Sequence, residues 1–191
     1  HALVRDAAHS LLAPEDQKTV HARVYRAEKR LGNVSSSALA VHAEKGGLFE
    51  EAATELVLVA ESMLAVSDLL GATDVVQRIQ GLVPSVPVRG EAYVIGAIAK
   101  FFLGDLPTAL SWSLEGLILS TRRSRLWVRA VGYLAAIIGH VRPAQRPPAL
   151  EDALAALLER PILSEELLAL SEALALGAGG GAIEKLRVRK S

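Results

Sequence analysis

The sequence predicts an all-α fold made of antiparallel helix pairs, and three observations carry that prediction. Ala, Leu and Val supply most of the apolar residues, which reach 51% of the chain while aromatics stay at 4%. Ala and Leu are strong helix formers. Apolar positions recur three and four residues apart in several segments, and no segment shows the alternation of a half-buried strand. At 191 residues the chain is long enough for one sizeable core or a short array of repeats.

The elements follow in order. Residues 3–12 suit a helix. Pro14 sits where a first turn tolerates a missing donor, with Glu15 and Asp16 at the positive end of the helix dipole. That helix is expected to run to about Leu31, with Lys29 and Arg30 in its last turn and Gly32 as a left-handed cap. Ser35 to Lys45 reads as a shorter helix stopped by Gly46-Gly47. In the next segment Phe49, Ala52, Leu56, Val59 and Met63 form an apolar stripe, and Glu50, Glu51, Thr54, Glu55 and Glu61 are expected on the polar face. A weaker helix is expected over about 73–82 with Thr73 as its cap, and VPSVPVRG (83–90) reads as a loop with two prolines. Glu91 to Leu103 is apolar on nearly every side, so it needs neighbours on more than one face. Gly104 stops it, and Asp105 and Pro107 restart a helix that runs to about Ser120. Leu126 to Val141 follows, then the RPAQRPP break (142–148), then helices over 150–158 and 163–176. GAGGG (177–181) reads as a flexible linker before a basic tail, since no strand precedes it and no Gly-Lys-Ser/Thr closes it as a phosphate loop would need.

Spacing adds an architecture. Tyr93 and Trp127 each open the first helix of a pair and lie 34 residues apart, the period of the tetratricopeptide (TPR) repeat. Tyr93, Ala97, Gly104-Asp105, Ala109 and Gly116 fit its pattern of an aromatic opener, a tight turn and small residues where two backbones approach. Leu39, Ala40, Gly47, Phe49 and Ala52 fit more loosely, and their turn precedes Gly104 by 57 residues rather than 34. The expected fold is therefore a right-handed, TPR-like α-solenoid with degenerate repeats over residues 35–176. Trp112 and Trp127 are expected to pack between helices.

His1-Ala2-Leu3-Val4-Arg5-Asp6-Ala7-Ala8, the Leu11-Leu12 pair, His21 and the helix pair around Gly46-Gly47 carry a family resemblance. Residues 1–24 followed by 38–61 resemble the stretch of large bacterial signalling ATPases in which the nucleotide-binding module passes into a helical repeat array. These include LuxR-type transcriptional regulators, and multidomain Ser/Thr kinases and adenylate cyclases with the same module. The resemblance implies that residues 1–34 correspond to the end of an ATPase or winged-helix segment. It implies a role within a switch protein and transfers no active site. The start at His1, without an initiator Met, fits a piece cut from a longer polypeptide.

Charge and chemistry narrow the function. Lys+Arg and Asp+Glu are equal at 21, which argues against a dedicated nucleic-acid binder. The absence of cysteine removes disulfides and thiol chemistry and fits a cytoplasmic protein. The longest uncharged apolar stretch, Ala130 to Val141, is too short to span a bilayer, so no membrane partner is expected. His1, His9, His21, His42 and His140 show no metal-ligand spacing, and His21 is expected to face Asp16 or Glu28, so no metal or cofactor is expected. No nucleophile elbow or acid/base pair stands out. Arg122, Arg123, Arg125 and Arg129 form a basic run that Arg142 and Arg146 extend, set against an acidic stretch over 149–176. The plainer reading is that these segments pack near one another or face solvent.

The expected function is non-catalytic: a module that binds a protein or peptide, or docks on other domains of its parent. Arg89, Lys100, Arg125 and Arg129 are the candidate residues of its concave face. A nucleic-acid contact through Arg122 to Arg129 is the alternative, and an enzyme in its own right is the last.

Overall fold

The structure is a computed structural model that describes residues 12–121, 124–139 and Pro148. Seven helices are present among the described residues, with no strand: α1 Pro14–Leu31, α2 Ser36–Lys45, α3 Phe49–Ala65, α4 Leu69–Gly81, α5 Val86–Phe102, α6 Leu106–Leu119 and α7 Arg125–Gly139. No helix among them is long and apolar enough to cross a membrane. The helices expected over 150–158 and 163–176, the GAGGG linker and all but Leu12 of the segment 3–12 lie outside the described residues.

Each helix packs on the next, and α3, α5 and α7 also touch in a row with α4 and α6 laid against it. α5 therefore has four helical neighbours. This is why nearly every residue from Ala92 to Ala99 is buried, as its apolar circumference requires. Small residues let the helices close up. Ala40, Ala53, Ala60 and Ala92 are fully buried in the core shared by α2, α3, α4 and α5. A second core joins Val94 and Ile98 of α5 to Leu117 of α6 and to Trp127, Val131 and Leu134 of α7. A third and smaller one joins Tyr25, Leu39, Ala43 and Ala52.

Three tight turns share one geometry. Leu48 N–H bonds the Ala43 carbonyl at 2.8 Å, Asp68 N–H bonds Met63 at 2.8 Å, and Asp105 N–H bonds Lys100 at 2.9 Å. The residue before each donor is left-handed: Gly47 at φ 70°, Ser67 at φ 62° and Gly104 at φ 80°. This is the Schellman closure, which satisfies the last carbonyls of one helix while the next begins. Asp68 and Asp105 then cap the following helices by accepting from Gly71 N–H and Thr108 N–H.

The turn at Ser67 explains the irregular 57-residue interval. It lies 37 residues before Gly104 and 20 after Gly47, so one extra helix, α4, fills the gap. Two expectations change here. α4 begins at Leu69 with Asp68 as its cap, not at Thr73, whose hydroxyl donates to the Leu69 carbonyl inside the helix. Residues 86–90 are helix rather than loop, because Pro87 lies in the first turn of α5 and only Pro84 stands outside it.

Candidate interaction surface

The helical period of α5 splits its polar residues onto two sides. Arg89, Tyr93, Gly96 and Lys100 lie on one line, and Glu91, Ile95, Ile98 and Phe102 lie on the opposite one. On the first line, Gly96 leaves no room for a side chain. A Cβ there would meet the Trp112 ring of α6 at 2.5 Å and Val76 of α4 at 2.9 Å. Trp112 thus packs closely on α5 at Gly96, half-buried, with the Tyr93 ring edge-on at 6.1 Å between centroids. The packing role expected of Trp112 holds, and Trp127 is buried in the α5–α7 core.

Lys100 is engaged twice. Its ammonium lies 5.9 Å from the Trp112 ring centroid and 3.3 Å from Asp105 Oδ2. Hydrogen bonding from Thr108, with Lys100 beside it, holds the Asp105 carboxyl below its ordinary range. Arg89 is half-buried, and its side chain has no ion-pair or hydrogen-bond partner among the described residues.

On the opposite line the charges come from three helices. Arg129 of α7 reaches across α5 to Glu61 of α3, Nη1 to Oε1 at 3.1 Å. Burial raises the Glu91 carboxyl, the Glu61 charge pushes it further up, and Arg129 partly offsets both. The structure therefore places Arg89 and Lys100 on one side of α5 and Arg129 on the other. They do not form one basic patch. Arg122 and the side chain of Arg125 lie outside what is described.

A polar seam holds α1 to its neighbours. Glu55 was expected on the polar face of α3, but it is only 1% exposed. Lys29 of α1 lies 2.6 Å from its Oε1, and Tyr25 donates to the same oxygen at 3.4 Å. That bond raises the Lys29 ammonium, while burial and the Glu55 charge raise the Tyr25 hydroxyl and keep it neutral. Part of the signal lies in the sequence: Glu55 stands three residues after Ala52 and next to Leu56, at the edge of the apolar stripe. The partner that allows it to be buried comes from 26 residues away and was not visible locally.

The histidines follow the same seam. His21 faces His42 rather than Asp16 or Glu28, with the two Nδ1 atoms 2.9 Å apart and the rings tilted by 40°. Glu28 Oε2 is 4.0 Å from the other nitrogen of His42. His1, His9 and His140 lie outside the described residues. No group of three or more His, Cys, Asp or Glu able to hold a metal converges among the described residues.

One open depression of about 360 Å³ is lined by Val41, Glu44, Lys45, Phe49 and Arg78. Arg78 already pairs with Glu44 there, so the lining offers an ion pair and exposed apolar carbon rather than a free nucleophile or base. Compared with family models, curated proteins and solved structures, the chain matches none.

Proposed function

We propose that this chain is a non-catalytic, TPR-like helical-repeat module that binds a protein or peptide, or docks on other domains of a larger bacterial signal-transduction ATPase. The supporting observation is the position of α5. It contacts α3, α4, α6 and α7, as a first helix does in a stack of helix pairs, where it meets its own partner, the preceding pair and the next first helix. The Gly96 and Gly116 contacts to Trp112 and Val94 supply the close backbone approach that such pairs need. In this reading the proteins of this kind supply specificity on a curved surface, and the chemistry resides elsewhere in the parent. Arg129 is tied to Glu61, which removes one cation from the alternative of a nucleic-acid contact.

The test is binding of the parent's remaining domains to this segment, followed by calorimetry. Charge reversal at Lys100 or Arg129 would set like charges against Asp105 or Glu61 and disturb the fold itself. Arg89→Glu breaks no pair among the described residues and is the cleaner variant. We expect it to weaken partner binding about tenfold with an unchanged melting temperature, the usual scale for loss of one interfacial charge contact. Undiminished binding removes Arg89 from the surface, and no binding by the unaltered segment overturns the docking role.

A further inference from the structure

We propose that His21 and His42 form a shared-proton contact that holds α1 on α2 at neutral pH and releases it when both imidazoles are charged. This does not depend on the reading above. The two Nδ1 atoms are 2.9 Å apart, hydrogen-bond distance, so one must carry hydrogen and the other must present a lone pair. A neutral pair, or a pair with a single extra proton, satisfies that condition. With both rings charged, two N–H groups point at each other across the same gap, and a hydrogen bond becomes a like-charge contact. Both rings are half-buried, so solvent does not fully screen the repulsion.

Glu28 Oε2 lies 4.0 Å from His42 Nε2 and is buried with no hydrogen-bond partner. From α3, Glu55 is already matched by Lys29, and the Tyr25 hydroxyl stays neutral. The rest of the contact cannot rearrange easily. A Cβ at Gly46 would sit 2.7 Å from the Ala22 backbone nitrogen, so the two helices already meet backbone to backbone one residue from His21. Separation of the rings therefore moves α1 as a body. The proton balance is simple: release takes up two protons per chain from the neutral pair, or one from the singly charged pair, and forms no covalent bond.

The experiment is amide hydrogen exchange, corrected for intrinsic rates, on the full chain at about pH 7.5 and about pH 5, either side of the ordinary imidazole range. We expect protection of α1 amides to fall roughly tenfold at the lower pH, the effect of losing one hydrogen bond, while α5 and α6 amides hold. In His42→Asn the amide can stand in for Nδ1 but takes no charge, and its α1 protection should not change with pH. Equal protection of unaltered α1 at both values, or the same fall in the Asn variant, overturns the proposal.

Discussion

The two ends of the described structure are held by different forces. Where α1 meets α2 and α3 the ties include several polar ones: Lys29 to Glu55, Tyr25 to Glu55, His21 to His42, beside a small core of Tyr25, Leu39, Ala43 and Ala52. Between α5, α6 and α7 the contact is carbon on carbon, with Trp127, Val131 and Leu134 buried against Val94 and Ile98. Apolar burial is indifferent to pH over the physiological range and scales with area. A buried ion pair contributes little net stability, yet costs a great deal when one partner is removed. The first region should thus respond to pH and to loss of single charges, and the second to loss of volume.

The largest expected effect tests the second region. Leu134→Ala removes a fully buried side chain from the α5–α7 core and should cost about 3 kcal/mol, read as a shift of the urea midpoint that is the same at pH 6 and 8 to within about 0.5 kcal/mol. A cost that varied with pH would blur the contrast. The next effect tests the first region. Lys29→Met leaves Glu55 buried and without its cation, but Lys29 is half exposed and Tyr25 still donates. The cost should be about 1–2 kcal/mol, and adding Glu55→Leu should recover most of it in a double-mutant cycle. No recovery would mean that the Lys29 stem, not its charge, holds α1. The Lys29 ammonium is raised, so its contribution is fully present below the unfolded lysine value, about 10.4, and is lost as pH climbs through the higher folded value. The smallest effect compares two turns of equal geometry. Ser67→Gly relieves a side chain held at φ 62° and should stabilise by about 0.5–1 kcal/mol. Gly104→Ala imposes that strain with no clash, since nothing lies within 4 Å of a Cβ there, and should destabilise by about 1 kcal/mol. Melting curves with both changes of the same sign would refute the equivalence of the turns.

How much of this was legible depended on whether the cause was local. Gly104-Asp105 spells its turn in residues that do it best, and Pro14 and Gly32 mark both ends of α1, so those boundaries were readable. The turn at Ser67 was not, because serine carries no signal for a left-handed backbone. Missing it displaced the start of α4 and left the 57-residue interval unexplained. Two prolines three residues apart looked like one loop, although Pro84 ends a connection and Pro87 begins a helix. At the candidate surface, Arg89, Lys100 and Arg129 read alike in the sequence as first-helix positions not needed for the core. Their separation follows from the 3.6-residue period of α5 and from Glu61 on a helix far away in sequence. Glu55 belongs to the same class, its environment fixed by Lys29.

The turn at Ser67 also bears on how such a chain can grow. α3 closes a tight hairpin with α2 behind it and another with α4 ahead, and it lies beside α5 as well. It therefore serves as the trailing member of one couple and the leading member of the next. Under the repeat reading proposed above, copying the stretch from α5 to α6 in tandem would extend the stack in step, whereas copying a segment of equal length that crosses α3 would put successive copies out of step.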